Sequence, residues 1–244
     1  GDARQLKHLK QWFLARGFVM KTLAGCVSGG AVRNGVAVFW RKSWAKVAAR
    51  EKSEATVAVA ERMLDVQLQL KSGEAIGLTA WHGLHDDAGF KAQLAGARAV
   101  TESGGKGGVI LADVNRISCR QQRSGNSTLG NTDREWKSFC GAGCECCGGV
   151  IGVDSDVCVV APDATGEGAA TRRCVVQGEE QWSVIDRAVT WGTESGQWWL
   201  EDTIWAEAPG DGSEVVSDHA LLVFQRETAW EGKEVVVSAD GLRA

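Results

Sequence analysis

Residues 109–116 read Val109-Ile110-Leu111-Ala112-Asp113-Val114-Asn115-Arg116. The leading aliphatic residues read as a short strand that gives way at once to a carboxylate, an amide and a cation. With the two-residue period of an extended chain, Asp113 and Asn115 project to the same side. A carboxylate and an amide oxygen so placed can hold a hard cation or its water and orient a phosphate. An Asx turn closing the strand uses the same two residues, and taken alone the stretch favours that plainer reading.

The flanks decide what kind of sheet carries this strand. Upstream, Leu64, Val66, Leu68 and Leu70 alternate with Asp65, Gln67 and Gln69, residues 71–75 form a turn, and residues 76–81 form a second strand, the pattern of a β-hairpin. Asp86 and Asp87 then precede Phe90, Leu94 and Ala97 on one helical face, which predicts a helix capped by acids. Downstream, Thr132 and Glu135 have capping-box spacing ahead of Trp136 and Phe139. Short β-rich runs follow at 157–160, 173–176, 184–189, 203–206, 220–224 and 234–237. At the other end, Leu6, Leu9 and Phe13 predict an amphipathic helix with Asp2 as N-cap and Gly17 as its stop, and residues 35–40 read as a buried strand. No repeat recurs at a fixed period. Helical and two-residue periods mixed with hairpins argue for layered sheets covered by helices and against an all-parallel βαβ fold.

Composition bounds the function. The chain has 244 residues, 44% hydrophobic and 24% charged, as expected of one folded domain. No apolar run approaches the roughly 20 residues that cross a bilayer. The net charge of -4 gives no global attraction to nucleic acid, so any such binding must be local. Arg33, Arg41, Lys42, Lys46, Arg50 and Lys52 are interrupted by the single acid Glu51 and accompanied by Trp40 and Trp44, a mix that can hold a phosphate backbone. A solvated loop beside a core tryptophan accounts for the same residues, and sequence alone slightly favours it.

Three further polar clusters stand at strand ends. His82 follows residues 76–81, where an imidazole can donate a proton to a phosphate oxygen or simply belong to the helix-capping loop Gly83-Leu84-His85-Asp86-Asp87; for His85 the second reading is preferred. Val184 and Ile185 lead into Asp186 and Arg187, and Ser217-Asp218-His219 stands before residues 220–224. Aspartates and a histidine so placed supply a metal carboxylate and a histidine whose tautomer a second carboxylate fixes, the logic of a general base with an orienter. Asp113, Asp186, Asp218 and His219 are expected to converge.

Taken in order, Trp81-His82, Ala112-Asp113-Val114-Asn115, Ile185-Asp186-Arg187 and Ser217-Asp218-His219 make the sequence resemble the endonuclease/exonuclease/phosphatase superfamily over roughly residues 6–227. The resemblance implies an α+β, DNase I-like four-layer α/β/β/α sandwich of two packed, mainly antiparallel sheets, lacking its first strand or strands, with residues 228–244 as a C-terminal extension or linker. It implies that Asp113 and Asn115 hold the attacking water and the scissile phosphate, and that Asp218 binds Mg²⁺ (or Mn²⁺) together with Asp113. His219, oriented by Asp186, contacts the phosphate or assists the nucleophile, and His82 acts across the phosphate as an acid. Arg116, with Arg41 and Lys42 of the basic stretch, joins Asn115 as a substrate-binding expectation. The sequence departs from the family pattern in two ways: Ala112 replaces the glycine before the aspartate, and the early asparagine and metal-binding glutamate are missing, the helix that follows them in the family starting here near Gln5.

Cys140, Cys144, Cys146 and Cys147 crowd a glycine-rich loop, where thiolates suit a structural Zn²⁺, but the spacing is not that of paired knuckles and reduced cysteines of an intracellular protein are the favoured reading. Within the resemblance, the expected activity is Mg²⁺-dependent hydrolysis of DNA phosphodiester bonds, with a nuclear or cytoplasmic location and a downstream reverse transcriptase in a retroelement polyprotein. The alternatives are a phosphatase or lipid phosphodiesterase of the same superfamily, and an inactive remnant that binds through its tryptophans and cysteine loop.

Overall fold

A computed structural model describes residues 3–23, 27–28, 31–32, 35–47, 56–60, 62–102, 107–117, 122–125, 129–139, 157–160, 170–192, 198–205 and 219–226. The expected N-cap Asp2, the run at 234–237 and residues 228–244 lie outside them. The chain opens with α1 (Ala3–Ala15), β1 (Phe18–Leu23), β2 (Val27–Ser28), β3 (Ala31–Val32) and β4 (Val36–Arg41). It continues with β5 (Ala45–Val47), β6 (Thr56–Ala60), β7 (Met63–Leu70), β8 (Ala75–His82), α2 (Asp87–Glu102) and β9 (Gly108–Asp113). Then come α3 (Asn131–Phe139), β10 (Val157–Val160), β11 (Arg172–Val176), β12 (Glu179–Ser183), β13 (Asp186–Trp191), β14 (Trp198–Ile204) and β15 (Leu221–Arg226).

The predicted hairpin is the spine of a seven-stranded sheet in the order β10-β13-β9-β8-β7-β5, with β6 also paired to β7. All its pairings are antiparallel except that of β8 with β9, which α2 connects. The period-two alternation of β7 and β8 supplies both faces of this sheet. Leu64, Val66, Leu68 and Ile76 bury one face against Val38 and Trp40 of β4 and Ala45 of β5. Met63, Trp81, Ile110, Ala112, Val189 and Trp191 bury the other against Phe90, Leu94, Ala97 and Val100 of α2 and Trp136 of α3. Burial of each large apolar side chain contributes about 1.5–3 kcal/mol relative to exposure, so losing either face would exceed the net stability of an ordinary domain. Strand β4 pairs with β1, and Phe13 of α1 stacks on Phe39 at 5.0 Å on the outer side of that pair. No helix among the described residues is long and apolar enough to cross a membrane.

Several expectations shift in detail. The run at 184–189 is not one strand: β12 ends at Ser183, and Val184 and Ile185 turn inward, giving N–H bonds to the Gln122 carbonyl and to Thr171 Oγ1, before β13 begins. The capping box of α3 is also built differently. Asp133 Oδ2 accepts the Gly130 N–H at 2.8 Å, while Thr132 Oγ1 bonds Asp87 and accepts from Arg116, and Glu135 pairs with Lys91 at 2.9 Å. Strand β14 starts before residue 203, and β5 lies inside the basic stretch, where polar residues hid a three-residue strand.

Trp191 lies over Gly77 and Gly108, which face each other across the parallel β8–β9 pair. A Cβ at Gly108 would stand 2.4 Å from the Gly77 carbonyl oxygen and 2.6 Å from the Trp191 ring. Gly108→Ala is therefore expected to lower stability by about 1–3 kcal/mol through overpacking. Urea unfolding checks this, and an unchanged midpoint would show that the β8–β9 pair yields more easily than its spacing implies.

Candidate active site

The register of the central sheet places polar residues in a row. His82 ends β8 and pairs with Asp113, which ends β9; Asp113 pairs in turn with Asp186, which begins β13. Adjacent strands lie about 4.8 Å apart, so three side chains from distant parts of the sequence meet at one end of the sheet. The fourth, His219, arrives just before β15, held by a bridge to Arg172 and by the Ala220 N–H bonded to the Thr171 carbonyl at 2.8 Å.

His219 Nδ1 lies 3.0 Å and 3.2 Å from the two Asp186 carboxylate oxygens. Pairing that nitrogen with a carboxylate fixes the ring and leaves Nε2 directed at Asp113, 3.9 Å from Oδ2. His82 Nε2 stands 3.9 Å from the same oxygen. Asp113, Asp186 and His219 thus offer ligand atoms within 4.8 Å of one another. Asp113 Oδ1 is engaged by the Asn115 N–H at 3.1 Å, whereas Oδ2 has no hydrogen bond among the described residues. A carboxylate oxygen left free beside a second carboxylate fits a hard divalent cation; the histidine, already committed to Asp186, does not need to ligate it.

Electrostatics follow from this crowding. Burial, then the nearby Asp186 charge, pushes the Asp113 carboxyl up to about 6, against the opposing pull of His219, the Asn115 N–H and Arg172. Burial also lowers the pKa of His82, helped by Arg62, His85 and His219 and opposed by Asp186. His82 is accordingly neutral at pH 7 and suited to donate a hydrogen bond rather than to carry a spare proton.

The turn after β9 departs from simple alternation. Asn115 adopts a left-handed backbone, φ 53°, so it does not extend the strand alongside Asp113. The plainer reading of the motif is the one seen: the Asp113–Asn115 contact is an Asx turn, and of the two residues Asp113 belongs to the cluster. The Asn115 amide donates to the Gly83 carbonyl at 2.9 Å, and the Gly83 N–H donates to the Asp113 carbonyl, knitting the exits of β8 and β9 together. A Cβ at Gly83 would lie 2.4 Å from the Val114 carbonyl oxygen, so only glycine permits this approach.

Other expected site residues are placed elsewhere. Arg116 does not face a substrate; it is buried over the Phe90 ring at 4.4 Å, with its donors on Thr132 Oγ1, the Asn115 carbonyl and the His85 carbonyl. A guanidinium this buried must find such partners, and it serves here to brace the Asn115 turn. Arg41 and Lys42 are likewise corrected. Lys42 bonds the Gly17 carbonyl, and the turn they begin abuts the β7–β8 turn, the end of the sheet opposite His82. His85 is exposed and contributes only its carbonyl. Asp218 and the loop cysteines Cys140, Cys144, Cys146 and Cys147 lie outside the described residues.

Two positioning residues were not anticipated. Gln93, fully buried on the apolar face of α2, accepts the Leu84 N–H at 2.8 Å and donates to the His82 carbonyl at 3.0 Å. Its signal was present, since a glutamine sits among Phe90, Leu94 and Ala97 on a face that should be wholly apolar. Thr171 Oγ1 accepts the N–H groups of Ile185 and Asp186, each at 3.0 Å, while its carbonyl holds Ala220. It thereby fixes both halves of the Asp186–His219 pair, and nothing in the residues around it marks that role.

No family model matches the sequence, and no curated protein matches it. The likeness is to solved structures. The endonuclease domain of TRAS1, a telomere-specific non-LTR retrotransposon, matches with 13% identity over 92% of this chain and 93% of that one, TM-score 0.53. TDP2 of D. rerio complexed with a single strand DNA product matches with 14% identity over 91% and 80%, TM-score 0.53. An AP endonuclease from Archaeoglobus fulgidus matches with 13% identity over 90% and 83%, TM-score 0.52. With its mixed strands and helices and an Asp, Asp, His cluster at one sheet end, the chain shares the fold of these solved structures.

Proposed function

We propose that the protein is a metal-dependent phosphodiesterase that cleaves DNA as an endonuclease. The observation that carries this reading is the Asp186–His219 pair aimed at an Asp113 whose Oδ2 has no hydrogen bond among the described residues. The solved structures it is similar to include two named endonucleases and one holding a DNA product, which supports DNA as the substrate. We read the architecture as the four-layer α/β/β/α sandwich of that fold, α1 outermost on one side and α2 with α3 on the other, forming one domain over residues 1–227 with 228–244 as an extension.

In this reading Asp113 and Asp218 would hold Mg²⁺ or Mn²⁺, and a bound ion would supply neutralisation of the phosphate charge. The protein's own groups do the rest. Asp113, its carboxyl raised to about 6, is ionised at neutral pH, and its Oδ2 is the oxygen that would take the ion. His219, held by Asp186, presents Nε2 to the same space and fixes the water or the phosphate. Neutral His82 donates a hydrogen bond to a phosphate oxygen from the opposite side of Asp113. Asn115, braced by Gly83 and Arg116, sets where the phosphate sits. Hydrolysis by positioning and charge compensation needs no covalent intermediate.

Asp113→Ala and His219→Ala are each expected to lower Mg²⁺-dependent nicking of supercoiled DNA by about 100-fold or more with the fold retained. Nicking at the wild-type rate in either variant would remove that residue from the mechanism.

The ionised Asp113 is the working form. The rate should fall as pH drops through about 6, the value to which its carboxyl is raised. Proton and cation compete for Oδ2, so raising Mg²⁺ should move the midpoint of the pH–rate profile downward. A midpoint independent of Mg²⁺ would assign the titration to another group.

The same shift has a stability consequence. Because the folded-state pKa lies above the unfolded one, ionising Asp113 destabilises the fold above pH 6 and costs nothing below pH 4. In chelator, Asp113→Asn should therefore be more stable than the wild type at pH 8 by about 2 kcal/mol. The gain should vanish near pH 4. Urea unfolding at both pH values tests this, and an equal difference at both would mean that packing, not charge, sets it.

A further inference from the structure

The turn between β4 and β5 is tied down on every side. Trp44 N–H bonds the Arg41 carbonyl at 2.9 Å, Lys42 N–H the Gly17 carbonyl at 2.8 Å, and Lys71 N–H the Trp44 carbonyl at 3.2 Å. The buried Trp40 indole adds a fourth bond, to the Ala45 carbonyl at 3.2 Å. The side chains carried on this frame are Arg41, Lys42, Trp44, Lys46 and Lys71, and all five are exposed. Ala45 pairs with Leu70 and Lys46 with Gln69, which places Trp44 opposite Lys71. Lys46 lies on the face of β5 turned away from buried Ala45, and Trp44 and Lys71 stand in the two turns at that end of the β5–β7 pair. Trp44, 43% exposed, thus stands beside Lys71 and one residue from Lys46 in the β5–β7 register, with Lys42 in the turn before it. Arg41 packs its guanidinium over Phe18 at 5.5 Å, and none of these cations forms an ion pair with a described residue. The half-buried Glu74 is the acid of the neighbouring turn.

In a chain of net charge -4, the exposed Lys42, Lys46 and Lys71, without an ion pair to a described residue, mark with the exposed indole a local site for a polyanion. The flat ring adds a choice among polyanions. A base can lie on Trp44 only when its face is not already covered by a neighbour in a duplex, and phospholipid headgroups offer no such face.

We propose that the Lys42–Trp44 turn with Lys46 and Lys71 is a docking surface for single-stranded nucleic acid, separate from the candidate active site. Strand β8 runs from beside this surface to His82, so the two are roughly 23 Å apart at about 3.3 Å per residue. Docking there requires no cleavage and stands apart from the hydrolytic reading.

The test measures anisotropy of a labelled oligothymidylate of about 12 nucleotides in chelator, where Mg²⁺-dependent cleavage is off. Trp44→Ala should weaken binding by about fivefold or more with the salt dependence unchanged. The double variant Lys46→Ala with Lys71→Ala should reduce the slope of log affinity against log salt by about 1.4, the share of two phosphate contacts on a single strand. Lys46→Glu with Lys71→Glu should weaken binding further. Circular dichroism of each variant should match the wild type, since every altered side chain is exposed. Wild-type binding in all three variants would overturn the proposal. So would tighter binding of a duplex of the same length, or patch-dependent binding to phosphatidylserine vesicles without binding to the oligonucleotide.

Discussion

The parallel pairing of β8 with β9 is the constraint on which the rest of the molecule depends. In an otherwise antiparallel sheet it brings two successive strand exits to the same end, and β13, running the other way, begins there. Antiparallel pairing of β8 with β9 would put His82 beside the start of β9 and leave Asp113 at the far end. A parallel neighbour needs a crossover, here α2, and α2 buries its apolar face on the strands it links while its Gln93 holds the loop that leaves β8. Topology, packing and site geometry are therefore set by one connection.

The space at that end is shaped by unfavourable as well as favourable terms. Asp113 is drawn into a partly buried position beside Asp186, and its proton affinity rises accordingly. Around it the backbone is heavily over-determined: Gly83 admits the Val114 carbonyl, Asn115 accepts a left-handed turn, and Arg116 spends its donors on three separate partners to keep that turn in place. Local strain of this kind persists only where the surroundings hold it. The interactions that do so are hydrogen bonds within protein, and they leave the Asp113 Oδ2 between the Nε2 atoms of His82 and His219.

Much of this was legible in the sequence because it depends on local period and punctuation. The alternation in residues 64–70 and 76–81, the apolar face of residues 90–97 and the polar residues at strand exits all reported real elements, and the order of the four clusters pointed to the fold. What escaped depends on contacts between remote segments. Arg116 looked like a surface cation because a single sequence gives no sign that Thr132 and two carbonyls would surround it. Arg41 and Lys42 were grouped with the site because strand direction cannot be read from composition; the register of β4, β5 and β7 carries them to the opposite end. Thr171 acts through its hydroxyl and carbonyl on two other segments, a role with no local signature, whereas Gln93 was detectable as a polar residue on an apolar stripe.

The hydrogen bond between His219 and Asp186 spans 33 positions, and that between Asn115 and Gly83 spans 32, with the two joined through the pairing of Asp113 with Asp186. Such non-local contacts form late, because loop closure must precede them. A chain emerging from the ribosome can complete the β7–β8–α2–β9 unit and its apolar core well before residue 219 has been synthesised. Until then it has a folded scaffold with His82 and Asp113 in place but no imidazole to complete the constellation. The order of the residues along the chain thus acts as a timer, keeping the site incomplete until residue 219 has been made.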